Sequence, residues 1–193
     1  MPPKAKITRD MIIEAGLQIV RTEGTESLNV RRTAAELDCS TQPVMYHFKT
    51  VSDLKAAVYA RANDLHTAYI LMPDADAADP FLSVGLRYIR FAAEEPHLFR
   101  LLFQSNQFQN VSFQELTQSD GLTPVLAPLC ESAGLSAAQA KEIFGILFVC
   151  VHGAASLIAN NAIPYDRAYF ENMLTAAFEG AVMRMKGTQH ETV

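Results

Sequence analysis

The sequence predicts an all-α protein, and three observations lead to that prediction. Apolar residues recur at intervals of three and four along most of the 193 residues, whereas the strict alternation typical of strands is absent. Helix start and stop signals bound most of these apolar stretches. An apolar fraction of 49% and a charged fraction of 19% allow a packed core and exclude a disordered chain, while only three Cys exclude a disulfide framework.

Four helices are predicted in the first part of the chain, at residues 8–23, 30–37, 41–48 and about 51–72. Gly24 ends the first helix, and Asn29 caps the second. Asp38-Cys39-Ser40 forms a short break, after which Ser40 caps the third helix. The segment Thr50-Val51-Ser52-Asp53 fits a capping box that opens the long fourth helix.

An acidic, Pro-flanked segment from Pro73 to Pro80 is predicted to join two units. Beyond it we predict helices at about 80–94, 97–104, 122–134, 136–161 and 166–186, with residues 104–120 forming a loop that contains a helical turn. Residues 1–61 carry nine Lys/Arg and seven Asp/Glu, net +2, and residues 62–193 carry seven and fourteen, net −7. This asymmetry favours a nucleic-acid-binding N-terminal end. We therefore predict one domain at residues 1–60 and a second at residues 61–193.

Two short helices separated by three residues, with one helix before them and a long one after, describe a helix-turn-helix over residues 29–48. In this motif the second short helix presents its outward residues to the major groove of DNA. Val44 and Phe48 are predicted to face the core, and Gln42 can pair with adenine through two hydrogen bonds. The predicted DNA contacts on this helix are Thr41, Gln42, Pro43, Met45, Tyr46 and His47. The residues that suit phosphates are Asn29, Arg31, Lys49 and, in the N-terminal tail, Lys4 and Lys6.

At these residues the chain resembles the TetR family of bacterial transcriptional regulators. The likeness runs without gaps over roughly residues 8–60 and includes the segment Asn29 to Leu37, Ser40 and the segment His47-Phe48-Lys49. The resemblance implies a three-helix DNA-binding domain followed by an all-α body that binds a small molecule and forms a homodimer on a palindromic operator. It also implies a bacterial cytoplasmic protein that is not an enzyme and has no cofactor and no membrane contact.

Three positions depart from the usual pattern of the family. Asp38 stands where the turn usually has Gly, and Asp tolerates the left-handed conformation. Thr33 replaces a large aliphatic residue, which predicts a looser small core. Met45 stands where the second short helix usually carries a Tyr, so the hydroxyl contact of that Tyr to the DNA backbone is lost, and the adjacent Tyr46 is expected to replace it in part.

Two stretches of the C-terminal part resemble one common subtype of the same family. Phe91 to Phe103 is similar to its segment of a helix, a Glu-x-Pro step and an aromatic helix. Val151-His152-Gly153 is similar to a Trp-His-Gly step in its penultimate helix, with Val in place of Trp.

The C-terminal part is rich in aromatic residues, and a helical bundle with few buried charges favours an apolar ligand cavity. The candidate wall residues are Phe91, Phe103, Phe108, Phe113 and Phe148. The last two predicted helices carry more apolar surface than one bundle easily buries, which predicts a four-helix interface between two copies. Its candidate residues are Phe144, Val151, Ala155, Ile158, Phe170, Leu174 and Phe178.

Other features of the sequence are interpreted as structural. No ligand-like spacing joins His66, His97 and His152, so no metal site is predicted. The three Cys residues, Cys39, Cys130 and Cys150, are interpreted as buried and inert thiols. The apolar run from Ile143 to Ala159 has 17 residues and contains His152, so it is interpreted as a buried helix rather than a membrane span.

The leading hypothesis from the sequence is a ligand-responsive transcriptional repressor. The alternative is a helical small-molecule carrier or enzyme with a vestigial DNA-binding domain, to which Met45 lends some support. Salt-dependent binding to DNA distinguishes the two, because only a regulator neutralises phosphates as part of its function. The sequence leaves open the effector, the operator and whether the protein represses or activates.

Overall fold

The computed structural model describes residues 7–72, 79–105 and 111–188, and within these ranges the regular secondary structure is helical, with no strand. The all-α prediction is therefore confirmed. The α-helices are α1 (Arg9–Glu23), α2 (Val30–Glu36), α3 (Thr41–His47), α4 (Val51–Ile70), α5 (Pro80–Glu94), α6 (Pro96–Phe103), α7 (Phe113–Gln118), α8 (Thr123–Ala133), α9 (Ala137–Asn161) and α10 (Arg167–Thr188). Short 3-10 helices lie at Thr25–Ser27 and Asp120–Leu122.

Most helices begin and end at the signals present in the sequence. Capping boxes open α4 at Thr50–Asp53 and α9 at Ser136–Gln139, as predicted. Gly24 ends α1 with a φ of 87° and a ψ of 170°, a conformation open essentially to glycine alone. A third capping box, at Ser112–Glu115, opens α7 inside the segment predicted as a loop with a helical turn.

The described residues divide into two compact units, and the first contains residues 7–66 together with 95–105. Helix α1 packs against α2, α3 and α6 within this unit. Gly16 allows α4 to approach α1, because a Cβ there would lie 2.6 Å from Val58 Cγ2. The buried residues of this unit include Ile12, Leu17, Ile19, Val20, Leu28, Val44, Leu54, Val58, Leu98, Phe99 and Leu102. Residues 95–105 thus pack with the N-terminal helices, although they come after α5 in the sequence.

The second unit contains residues 67–72, 79–94 and 111–188. Helix α5 packs against α8, α9 and α10, and both α8 and α10 also pack against α9. One buried cluster fills the space among these helices, and its members are Phe81, Leu126, Leu129, Leu135, Ala140, Ile143, Leu147 and Ala181. Burial of this surface is the main favourable contribution to folding of the unit.

Candidate nucleic-acid interface and effector region

The turn between α2 and α3 has the geometry that a helix-turn-helix requires. Asp38 has a φ of 47°, so the prediction that Asp adopts the left-handed conformation in place of Gly is confirmed. The N–H of Cys39 then donates to the carbonyl of Ala34 at 3.0 Å and closes the end of α2. Thr33 is fully buried, and its hydroxyl donates to the carbonyl of Asn29 at 2.8 Å. The polar atom that Thr33 brings into this small core is therefore satisfied.

Helix α3 is held to the first unit by two residues at a spacing of four. Val44 and Phe48 are 0% and 2% exposed, as predicted. The guanidinium carbon of Arg9 lies 5.0 Å from the centre of the Phe48 ring. Arg9 therefore makes a cation–π contact with the residue that follows α3. Ser40 occupies the N-cap position as predicted, but its side chain makes no capping hydrogen bond.

The opposite side of α3 is open to solvent. Tyr46 is 73% exposed and Met45 is 42% exposed, while Thr41 and Gln42 are also exposed. Pro43 is half-buried. A tyrosine with most of its ring in water contributes little to folding, so its exposure is consistent with a binding role.

His47 is half-buried at the end of α3, and its Nε2 lies 3.1 Å from the carbonyl oxygen of Ile7. Its ring also meets Tyr46 edge-on, with ring centres 5.1 Å apart. These two contacts give His47 a structural role in addition to its predicted place among the DNA contacts.

Two of the predicted phosphate contacts, Arg31 and Lys49, have exposed side chains. The Nζ of Lys49 lies 5.8 Å from the centre of the Tyr46 ring, so this cation stands beside the exposed aromatic residue of α3. Asn29 accepts a hydrogen bond from the N–H of Arg32 at 2.9 Å and donates to the carbonyl of Ser27 at 3.1 Å, which commits its side chain to capping α2. Lys4 and Lys6 lie outside the described residues.

Arg32, which is not among the predicted DNA contacts, forms two ion pairs. It lies 2.7 Å from Glu23 and 2.9 Å from Glu36. Hydrogen bonds to these carboxylates raise the pKa of Arg32, and the bond with Arg32 lowers the pKa of Glu23. Arg32 therefore braces α2, whereas its neighbour Arg31 remains at the surface.

The predicted pocket residues do not form one group. Phe91 is fully buried in α5, where its ring meets Tyr69 with ring centres 5.5 Å apart. Phe103 belongs to the first unit, and its ring centre lies 5.1 Å from that of His66. Phe108 lies outside the described residues.

The other two predicted pocket residues, Phe113 of α7 and Phe148 of α9, lie together with ring centres 6.4 Å apart. Phe148 also stacks between Phe144 and His152, at 5.6 Å and 5.3 Å and with interplanar angles of 26° and 27°. We call these three stacked side chains of α9 the aromatic ladder. Phe113 is 53% exposed and the ladder residues are half-buried, so this group of rings reaches the protein surface.

A polar pair that was not predicted from the sequence lies at the His152 end of this ladder. The hydroxyl of Tyr88 on α5 lies 2.9 Å from Nδ1 of His152. Burial raises the pKa of Tyr88 well above its usual value and lowers the pKa of His152. Both side chains are therefore neutral near pH 7. The spacing of four between the ladder residues is visible in the sequence, but the partner from α5 is 64 positions away and carries no local signal.

The single chain buries most of the residues predicted for the dimer interface. Phe144 and Phe178 are half-buried and pack against the core cluster of the second unit. The remaining five, which lie within the unit at 8% exposure or less, are Val151, Ala155, Ile158, Phe170 and Leu174. The same two helices expose other apolar residues, namely Ile146, Val149 and Leu157 on α9 and Met183 on α10.

The described part of the chain contains no group of three His, Cys, Asp or Glu side chains placed to hold a metal ion. Cys39, Cys130 and Cys150 are free thiols of intermediate exposure, so they are less buried than predicted. Helix α9 is long and apolar enough to cross a membrane by length and composition, with 33% of its most apolar stretch buried in the single chain.

The fold and the exposed face of α3 define a class of protein: a helix-turn-helix regulator with a second helical unit. The family model for the tetracyclin repressor-like C-terminal domain matches residues 81–177, which is half of the chain. The chain therefore belongs to the TetR family of transcriptional regulators.

Solved structures share this fold, and two of the three described here are of TetR-family proteins. A TetR-family transcriptional regulator from Streptomyces coelicolor superposes with a TM-score of 0.70 at 17% identity, covering 94% of this chain and 82% of that one. The multidrug binding protein EbrR, complexed with imidazole, superposes with a TM-score of 0.58 at 23% identity, and the superposition covers 88% of each chain. Another TetR-family member, from Streptomyces coelicolor A3, superposes with a TM-score of 0.54 at 24% identity, covering 88% of this chain and 96% of that one. No curated protein sequence matches the chain.

Proposed function

We propose that this protein is a homodimeric TetR-type repressor that leaves a palindromic operator when a small apolar molecule binds its second unit. One observation carries the proposal. Helix α3 is anchored to the core by Val44 and Phe48, and it nevertheless leaves Gln42 and Tyr46 open to solvent. A helix that packs on the core on one side and is exposed to solvent on the other meets the geometric requirement for reading a major groove.

The outward side chains of α3 supply the chemistry for reading bases and phosphates. Gln42, in the first turn, has the amide that pairs with adenine, and the methyl group of Thr41 suits a thymine methyl. Tyr46 and Lys49 stand together and fit one phosphate, with Arg31 as a further phosphate contact. In this scheme the Tyr46 hydroxyl makes the contact to the DNA backbone that Met45 cannot make.

Dimerisation through α9 and α10 is supported by the apolar side chains that they leave exposed. Leu157 and Val149 are 58% and 56% exposed, and they lie eight residues apart on α9, with exposed Gly153 midway between them. Residues at this spacing share one side of a helix. A second copy of the chain would cover this stripe by an isologous contact, as a two-fold symmetric dimer requires.

Effector control is proposed for the second unit. EbrR, a structural relative, is a multidrug binding protein solved with imidazole, which supports binding of a small molecule by a body of this fold. The ligand would favour a conformation of the dimer whose two α3 helices no longer fit successive grooves. The proposed regulator is not an enzyme, has no cofactor and acts in the bacterial cytoplasm, as expected of its family.

The experiment is a footprint on the DNA upstream of the gene that encodes the protein. We expect two protected major-groove segments with centres about 34–36 Å apart, one helical turn of B-DNA. Gln42→Ala on α3 should weaken the footprint. Its matched control is Gln114→Ala, which removes an exposed glutamine from α7 and should leave the footprint intact. Two results would contradict the proposal: protection spread evenly along the DNA at every protein concentration, or no protection at any protein concentration.

A further inference from the structure

The region around the aromatic ladder combines features that a purely structural core does not need. Phe144, Phe148 and His152 lie at positions i, i+4 and i+8 of α9 and stack with nearly parallel rings. The neighbouring rings cover the faces of Phe148, so an added ring meets the ladder edge-to-face, and such an aromatic pair is worth more than its buried area alone. Phe113, which meets Phe148 from α7, is largely exposed, so the ladder is not sealed from solvent on that side.

The polar end of the ladder narrows the chemistry of a ligand. The Tyr88 hydroxyl and His152 Nδ1 share one hydrogen bond, and either group is able to donate, depending on the tautomer of His152. A ligand hydroxyl both donates and accepts, so it extends this pair in either arrangement. A carboxylate only accepts, and its charge would have to leave water beside two neutral groups that do not neutralise it. A charged ligand is therefore disfavoured.

We propose that the aromatic ladder and Tyr88 form the effector-recognition surface, and that the effector is a neutral, planar aromatic molecule with a hydroxyl group. The ring packs against the solvent-exposed edges of Phe148 and His152, and the hydroxyl group joins the hydrogen bond between Tyr88 and His152. Phe113 covers the ligand from α7. This inference rests on the proposed function, since it assigns the effector of that same regulator.

The test compares three probes, 2-naphthol, naphthalene and 2-naphthoate, which share one ring system and differ in the polar group. The chain has no Trp, so the fluorescence of the probes reports their binding without interference from tryptophan. We expect the wild-type protein to bind 2-naphthol about tenfold more tightly than naphthalene, the effect of one additional hydrogen bond. We expect 2-naphthoate to bind more weakly than 2-naphthol.

Two variants separate stacking from polar recognition. Tyr88→Phe keeps the ring and removes the hydroxyl, and His152→Phe keeps the stack and removes both ring nitrogens. Either change should abolish the preference for 2-naphthol while affinity for naphthalene stays within about twofold. Phe148→Leu should weaken both probes. Tyr169→Phe, at an exposed tyrosine of the same unit, is the matched control and should change nothing.

The outcomes distinguish this inference from the proposed function. The inference is overturned if the wild-type protein does not bind 2-naphthol up to its solubility limit. It is equally overturned if 2-naphthoate binds best, or if Tyr88→Phe and His152→Phe both keep the preference. Failure of the wild-type protein to bind upstream DNA would instead contradict the proposed function and leave the probe affinities unchanged. Release of that DNA by 2-naphthol, lost in Phe148→Leu, would support both.

Discussion

Arg21 Nε donates a hydrogen bond to Glu95 Oε2 at 2.9 Å and thereby joins two residues that are 74 positions apart. Arg21 is in the last turn of α1, and Glu95 is the N-cap residue of α6. The pair therefore ties the helix that follows α5 to the N-terminal helices. Because both side chains remain partly exposed, solvent weakens their attraction.

The first prediction concerns the strength of this tie. A double-mutant cycle with Arg21→Gln and Glu95→Gln should give a coupling energy of about 0.2–1 kcal/mol in urea unfolding. Arg90 and Glu94, which pair within α5 at 2.7 Å, provide a matched control with an expected coupling of about 0.3–0.5 kcal/mol. Strict additivity of the two substitutions would show that the Arg21–Glu95 pair does not stabilise the first unit.

The second prediction concerns the glycine that ends α1. Gly24 has a φ of 87°, and a Cβ there would lie 3.1 Å from Nδ1 of His97, so Gly24→Ala should cost about 1–3 kcal/mol of the free energy of unfolding. Gly134 has a φ of 64°, and a Cβ there would have no neighbouring atom within 4 Å, so Gly134→Ala carries conformational strain alone and should cost about 1 kcal/mol. Equal losses in the two variants would contradict the additional cost that the backbone conformation of Gly24 and its contact with His97 together predict.

The third prediction concerns pH and His66. This side chain is buried against Phe103, and burial lowers its pKa to about 4. In the unfolded chain its pKa is about 6.5, so between about pH 6.5 and 4 the unfolded state binds a proton that the folded state does not. Stability is therefore unaffected above pH 6.5 and falls as the pH drops toward 4, by about 2–3 kcal/mol at pH 4.5.

The variant His66→Leu isolates this effect, because it removes the titrating group and keeps an apolar side chain. The difference in unfolding free energy between wild type and variant should be constant above pH 7 and should shift against the wild type below pH 6. A difference that does not change between pH 7 and pH 4.5 would contradict the assignment of His66 as a buried, neutral histidine.

The fourth prediction concerns the dimer. Leu157→Glu places a charge on the exposed stripe of α9 and should give monomers by sedimentation at micromolar concentration, with the helical content unchanged. Met72→Glu is the control, since this methionine is 54% exposed outside α9 and α10. Phe178 is a poorer site for this test, because it packs on the core cluster and its replacement by Glu would destabilise the unit itself. A dimeric Leu157→Glu protein would contradict the proposed interface.

The helices were predictable because their signals are local. The capping boxes at Thr50–Asp53 and Ser136–Gln139, the stop at Gly24 and the left-handed Asp38 all depend on residues within a few positions of each other. The inward spacing of Val44 and Phe48 followed from helical periodicity.

The parts that could not be predicted depend on tertiary contacts or on a choice between equally apolar faces. Helix α9 is apolar almost all round, so periodicity could not tell that Val151 faces the core while Val149 faces solvent. The Tyr88–His152 pair and the packing of α6 on α1 join distant segments, for which the sequence has no local signal. Phe103 was predicted to line a pocket with Phe148, but it lies in the first unit because α6 packs on α1, and the sequence has no local signal for that packing.

The central claim is that α3 reads DNA, and the fifth prediction, operator affinity as a function of salt concentration, tests it most directly. Gln42→Ala should lose about 1–3 kcal/mol at the specific operator and relax preference at one base pair, with little change on unrelated DNA. Lys49→Ala should weaken binding to all sequences similarly and reduce the slope of log affinity against log salt by about one. If both variants bind the operator as the wild type does, with the same salt slope, then α3 does not lie in the groove.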